Sequence, residues 1–257
     1  MSIQRVTSKW TKTNALLADP SVKLFVPTTL PFNSANVRLM LDEMGMIYVK
    51  PVNGTFGKGV IRIERTPDSE FPYMFQSGER QYRFRTFEDM YRKLLDVKKR
   101  RSYLVQQGIE LLKYNNRRFD LRLMVQKNPR REWESTGLIG RLAHPRKIVT
   151  NYHSGGTPMS VEELLGAHMT PHQLSVYQSY LHKLGIAVAS AMERKFRRIQ
   201  ELGIDIAVDE TGKPWILEVN TMPDPFIFRK LPDRSCFFRI HRYAVRYGRF
   251  RAKRKRR

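Results

Sequence analysis

The chain has 257 residues, 41% of them hydrophobic and 28% charged, which is enough to bury a core without staples and too apolar for wholesale disorder. A single cysteine, Cys236, excludes an internal disulfide and fits a reducing cytosol. No apolar run approaches the ~18 residues that cross a bilayer, and the first twenty residues hold Lys9, Lys12 and Asp19 without an apolar segment, so neither a membrane span nor a signal peptide is expected.

The formal charge of +23 is unevenly spread. Residues 80–147 carry 19 basic and 7 acidic groups and residues 229–257 carry 13 and 1, so these two blocks hold the excess. Residues 148–228 carry 6 and 9 and form the one net-negative block. Basic blocks favour a polyanionic ligand or partner such as a nucleotide, a nucleic acid or an acidic polymer, or else simply keep the surface soluble.

In chain order, residues 1–45 read as mixed helix and loop, with an amphipathic piece over Asn36–Met44 stopped by Gly45. Met46–Val49 is a short strand closed by Lys50-Pro51, and Gly54, Gly57 and Gly59 make a turn before a strand at Val60–Glu64. Phe71–Phe75 and Gln81–Phe87 are further strand candidates. Thr86 caps a helix to Lys98 with Met90, Tyr91, Leu94 and Leu95 on one face. Tyr103–Gln107, Phe119–Gln126, Trp133–Leu142 and Lys147–Asn151 read as strands. Thr170-Pro171-His172-Gln173 begins a helix with a capping box and Pro at the first position; its apolar period runs from Leu174 to Leu202, where Gly203 stops it. Ile204–Val208 and Trp215–Val219 form a hairpin, and the order of elements is α+β.

Three clusters carry chemistry. Lys50-Pro51-Val52-Asn53-Gly54-Thr55-Phe56-Gly57-Lys58-Gly59 places a lysine and a glycine-rich turn between two strands, where backbone N–H groups can approach a polyphosphate and Lys50 and Lys58 add charge. An ordinary hairpin turn is the competing reading. No helix follows and no Lys-Ser/Thr pair is present, so this is not a Walker loop. In the hairpin, a turn centred on Thr211-Gly212 sets Asp205 across from Glu218, with Asn220 on the face of Glu218. Facing carboxylates repel, and a hard cation such as Mg²⁺ would remove that cost. The alternative is a carboxylate satisfied by a nearby Arg or Lys, which the net-negative block makes less expected. Arg118, Asp120 and Arg122 lie on one strand, Arg141 closes another, and Asn151 opens a second glycine loop; such arginines suit phosphate oxygens. The six histidines show no zinc spacing.

Taken in order, these pieces resemble the ATP-grasp fold and, more narrowly, the YheC/YheD family of endospore coat-associated ATP-grasp proteins. The resemblance runs from Ser8-Lys9-Trp10 through the glycine loop, Tyr103-Leu104-Val105-Gln106-Gln107-Gly108-Ile109, Arg118-Phe119-Asp120-Leu121-Arg122 and Thr136-Gly137-Leu138-Ile139-Gly140-Arg141 to Leu217-Glu218-Val219-Asn220-Thr221-Met222-Pro223. It implies an ATP-grasp domain over 1–248, with ATP between an N-terminal α+β subdomain at about 20–107 and a C-terminal one at about 108–228, a basic tail at 249–257, and no room for the usual preceding α/β domain. Lys50 would contact the α/β phosphates, Gly54 to Gly59 would cover them, and Lys9 would add an earlier basic contact. Gln106, Gln107 and Ile109 would form the adenine hinge, with Glu110 near the ribose. Asp205, Glu218 and Asn220 would hold Mg²⁺. Arg122, Arg141 and Asn151 would face the γ-phosphate or the acceptor. The implied activity is ATP-dependent activation of a carboxylate as an acyl-phosphate for attack by an amine. A non-catalytic nucleotide-binding role in the spore coat, or a polyanion-binding role, is the alternative.

Overall fold

The structure is a computed structural model, and residues 3–251 of it are described here. The chain runs α1 (Lys9–Leu17), β1 (Thr29–Pro31), α2 (Ser34–Met44), β2 (Met46–Pro51), β3 (Ile61–Arg65), β4 (Tyr73–Ser77), β5 (Arg80–Phe84), α3 (Phe87–Val97), β6 (Tyr103–Gln107), β7 (Lys113–Tyr114), β8 (Arg117–Lys127) and β9 (Trp133–Leu142). It continues through β10 (Thr157–Met159), α4 (Val161–Gly166), α5 (Pro171–Lys195), β11 (Glu201–Val208), β12 (Pro214–Asn220) and α6 (Ser235–Arg246).

Two antiparallel sheets result. The first has the order β1-β6-β2-β3-β4-β5, and the second β10-β9-β8-β11-β12 with β7 beside β8. The first sheet packs one face on α2 and α3: Val37, Met40 and Leu41 from α2 and Phe87, Met90 and Leu94 from α3 close over Ile47, Ile63, Phe75 and Val105. Gly45, with φ of 69°, ends α2 and turns the chain directly into β2. The α3 face differs from the expected one. Thr86 caps the helix by accepting from the Asp89 N–H, but Leu95 is exposed and Phe87 takes the buried place.

The second sheet is covered on both sides, which is why β8 is buried along almost its whole length instead of alternating. Leu121, Leu123 and Val125 pack under α5, with Leu181, Leu184 and Val188 over them. Met124 and Ile139 face the other way, under Phe228 and under Phe237 and Ile240 of α6. Helix α5 has the expected capping box at Thr170 and Gln173. It ends at Lys195, however, well before Gly203. The apolar spacing continues through Phe196, Ile199 and Leu202 because the following turn and strand bury into the same core. Gly203 lies inside β11, where a Cβ would meet the Pro223 ring at 2.5 Å. Lys147–Asn151 is a loop, not a strand: the chain turns at His144, whose carbonyl accepts from the Lys147 N–H, and then crosses between the sheets.

Two terminal segments belong to the second sheet's layer. Helix α1 packs on α5 and β12. Arg249 pairs with the fully buried Glu201, and the Phe250 ring stacks on His241 with centroids 5.4 Å apart. The first two residues of the expected basic tail are therefore packed against the fold; 252–257 lie outside the described residues.

Candidate functional site

The two sheets meet across a cleft. One wall comes from the first sheet, where Lys50 ends β2 and the glycine loop follows. Lys50 donates to Oε1 of Gln106 on neighbouring β6, and Gln106 is steadied by the Thr29 hydroxyl at 3.3 Å. Burial pulls the Lys50 ammonium down to about 8, with Glu218 pulling it back and Lys9 adding to the fall.

The loop is held from both sides. Arg101 donates to the carbonyls of Asn53 and Lys58, and Lys9 Nζ donates to the Gly54 carbonyl at 2.9 Å. Ser154 Oγ donates to the Phe56 carbonyl at 2.9 Å, and the Phe56 and His153 rings stand 4.2 Å apart, so the second glycine loop closes on the first. Gly57 has φ of 70°, and a Cβ there would meet Asn151 Oδ1 at 2.7 Å. Both the backbone angle and the approach of the 148–151 loop require glycine.

The opposite wall is a row of charges crossing the second sheet. Register sets Asp120 of β8 opposite Arg141 of β9, Arg122 of β8 opposite Asp205 of β11, and Asp205 opposite Glu218 of β12. Arg141 forks onto Asp120 at 2.8 and 2.5 Å and reaches Asp205 at 3.1 Å. Arg122 Nε donates to Asp205 at 2.5 Å. Glu218 meets Lys9 at 3.1 Å and Lys12 at 3.8 Å. Burial opposes ionisation of Asp205, but Arg122 and Arg141 outweigh it and hold the carboxyl down at about 2. Burial lowers Lys12 against the pull of Glu218.

The facing carboxylates are thus already neutralised by protein cations, the alternative that the net-negative block made less expected. The cations come from other segments: Arg122 and Arg141 from the basic block, Lys9 and Lys12 from α1. Among the described residues no group of three or more His, Cys, Asp or Glu side chains forms a metal cluster.

The hairpin register holds at the site for a reason the sequence did not show. Near the turn the pairing is Val208 with Pro214 and Ile206 with Ile216; a bulge between Ile206 and Asp205 then shifts the register so that Asp205 meets Glu218. The bulge also brings the consecutive residues Leu217 and Glu218 to the same cleft.

Most of the expected residues meet here. Lys9, Lys50, Gly54, Gly57, Lys58, Gln106, Gln107, Ile109, Arg141, Asn151, Asp205 and Glu218 all line the cleft. Four lie elsewhere. Gly59 packs under Arg101 and Tyr103. Glu110 stands half-exposed, 3.7 Å from Arg62 and 4.0 Å from Arg118. Arg122 and Asn220 line a second cavity, which shares Asp205, Glu218, Arg141 and Asn151 with the first. The residues missed from sequence are mostly apolar: Tyr48, Val60, Leu111, Ile148, Val149 and Leu217 also line the cleft, Val60 and Val149 beside Gly57. Only long-range pairing brings them together, and no local spacing marks them. In the Gln107–Ile109 connection the N–H groups of Gln107 and Gly108 go to the carbonyls of Thr28 and Met46, while that of Ile109 has no partner among the described residues.

A model of the YheC/D like ATP-grasp family matches residues 3–250. The chain belongs to this family. It is 25% identical over 232 residues to the endospore coat-associated protein YheD of Bacillus subtilis (strain 168), covering 86% of this chain and 49% of the relative. It is 20% identical over 229 residues to YheC of the same organism, covering 88% and 63%. The chain therefore spans about half of one of these curated relatives and 63% of the other. Among solved structures, the D-cycloserine synthetase DcsG superposes with a TM-score of 0.57 at 14% identity, covering 94% of this chain and 70% of that one. N5-carboxyaminoimidazole ribonucleotide synthetase from Thermotoga maritima gives 0.51 at 12%, covering 93% and 49%. The ADP complex of that synthetase type, purK, gives 0.54 at 14%, covering 93% and 51%. The fold is that of ATP-grasp proteins, α+β with two sheets facing across the cleft. No helix of the described residues is long and apolar enough to cross a membrane.

Proposed function

We propose that this chain binds ATP with Mg²⁺ between its two sheets and uses it to join a carboxylate to an amine. The observation that carries this reading is the pairing of two unlike walls. Lys50 and a glycine loop from one sheet face the Arg141–Asp205–Glu218 row of the other across a single cleft. The apolar lining suits a purine, with Ile109 N–H free to donate and Tyr48, Ile148 and Leu217 flanking the ring. Lys50, Lys58 and the loop N–H groups suit the phosphates.

On one face of two paired strands Glu218 Oε2 and the Asn220 side-chain oxygen are open among the described residues, because the contacts of Lys9 and Lys12 to Glu218 are both at Oε1, while both oxygens of neighbouring Asp205 are held by Arg122 and Arg141. Such a set fits Mg²⁺, which takes few protein ligands alongside phosphates. The ion would supply charge neutralisation at the β/γ phosphates. Arg141, fixed by its fork on Asp120, is preorganised to meet charge on the transferred phosphoryl group. The carboxylate oxygen forms a bond to the γ-phosphorus as the bond to the β-bridging oxygen breaks and ADP leaves. The amine then attacks the acyl carbon, phosphate departs with the C–O electron pair, and the amine's proton passes to solvent. A nucleotide-binding component of the spore coat without turnover is the second reading, favoured by the names of the curated relatives and by the protein cations already on both carboxylates.

The test is release of ADP and phosphate by the full chain with ATP and Mg²⁺ across a library of carboxylates and amines. Release that depends on one carboxylate and one amine supports the ligase. ATP binding without release under any pair supports the coat component instead.

A further inference from the structure

The second cavity opens beside the nucleotide cleft and is joined to it through Arg141, Asn151, Asp205 and Glu218. Its deep side is cationic. Arg122 spends only its Nε on Asp205; the side chain is 9% exposed, and its two terminal nitrogens have no bond among the described residues. A guanidinium so placed presents a two-pronged donor to an incoming carboxylate. Arg5 stands at the rim with no acidic partner among the described residues. The acidic groups of this cavity are otherwise engaged: Asp205 by Arg122 and Arg141, Glu218 by Lys9 and Lys12, and Asp224 by the Phe226 N–H and by His153 at 3.6 Å.

Its outer side is aromatic. Phe56, Tyr152, Met222 and Phe226 each leave 39–43% of their surface to solvent, and all four line this one cavity. Phe250, from the C-terminal segment, completes the wall and sits 5.8 Å from the Phe226 ring. Exposed apolar surface gathered in a concave place, next to unpaired cationic donors, calls for a ligand with an anionic head and an apolar body. The C-terminal segment is held there by Arg249 on the buried Glu201, so the wall is part of the packed fold.

We propose that this cavity selects the carboxylate substrate, and that the selected class is a carboxylate carrying an aryl group: Arg122 holds the carboxylate beside the nucleotide cleft, and Phe226 and Phe250 hold the ring. The inference rests on the ligase reading, but its site is occupied without turnover and is tested apart from it.

The experiment is calorimetric titration of the full chain with 3-phenylpropanoate, acetate and 3-phenylpropanamide, each with and without ATP and Mg²⁺, alongside a separate ATP titration. Phenylpropanoate is expected to bind at least tenfold more tightly than acetate or the amide. Phe226→Ala, at a half-exposed position, is expected to weaken phenylpropanoate at least fivefold and leave ATP affinity unchanged. Arg122→Met is expected to remove the preference for carboxylate over amide. If Arg122→Met fails to fold, Phe226→Ala and the acetate comparison still decide. Equal affinity for acetate and phenylpropanoate, no binding of phenylpropanoate, or no effect of Phe226→Ala overturns the proposal. Bound phenylpropanoate with no ATP binding would instead overturn the ligase reading and leave the cavity's selectivity standing.

Discussion

Lys50 sits where a rise in pH should weaken ATP binding by a calculable amount. Burial pulls its ammonium down to about 8 from the ordinary 10.5. Polyphosphate placed against it would favour the charged form and return it toward 10.5. The sign then follows. Below about pH 7 the lysine is charged before ATP arrives and binding costs no proton; as pH rises through 8 a proton must be taken up on binding, and affinity falls. Between pH 7 and 9 the charged fraction of the free protein drops about tenfold, so affinity should drop about tenfold, or ~1.4 kcal/mol. Calorimetry in buffers of different ionisation enthalpy should also register about half a proton taken up at pH 8. In Lys50→Gln the affinity should be lower at pH 7 by ~1.5–3 kcal/mol, and this pH dependence should disappear. An ATP affinity flat from pH 7 to 9 in the wild-type chain, or a slope unchanged in Lys50→Gln, would refute the role given to this lysine.

Three further outcomes are expected. Asp205→Asn leaves Arg122 and Arg141 buried without their shared counter-charge and should cost about 3–5 kcal/mol in urea unfolding. The wild-type contribution of Asp205, whose folded value of about 2 lies below its ordinary 3.8, is present above pH 4 and lost as pH falls through 2. Arg249→Ala, or truncation after Gly248, strands the fully buried Glu201 and should destabilise by a similar ~3–5 kcal/mol, whereas removing only 252–257 should leave ATP binding intact; both are read by thermal melts and ATP titration. Gly57→Ala forces a left-handed angle on alanine, ~1–2 kcal/mol, and pushes the 148–151 loop outward, so ATP affinity measured by calorimetry should fall and the melting temperature should drop by roughly 2–8 °C.

Local signals carried far in this sequence. The caps at Thr86 and Thr170, the stop at Gly45, and the strands at Tyr103–Gln107 and Trp133–Leu142 are each set by a few neighbouring residues. What depended on distant pairing was not legible. The apolar period of α5 ran past its end because Ile199 and Leu202 share its core without sharing its helix. The loop at 147–151 is β-prone by composition, but it bridges two sheets and pairs with neither. The hairpin put Asp205 against Glu218 although the pairing near its turn is one residue out of the expected register, because a bulge makes up the difference. Their neutralisation by Arg122, Arg141, Lys9 and Lys12 needed two further strands and a helix from separate parts of the chain. The block charge of residues 148–228 gave no view of it. The second cavity was hidden for the same reason, since its wall joins Phe56 to Tyr152, Phe226 and Phe250.

The claim that the cleft is a nucleotide site with a metal on the hairpin is tested most directly by titrating ATP into the full chain with and without Mg²⁺, in wild type and in Glu218→Gln. One ATP per chain, bound more tightly with Mg²⁺ in the wild type and without that gain in Glu218→Gln, is the result expected. No binding of ATP, or a Mg²⁺ gain that Glu218→Gln retains in full, would contradict it.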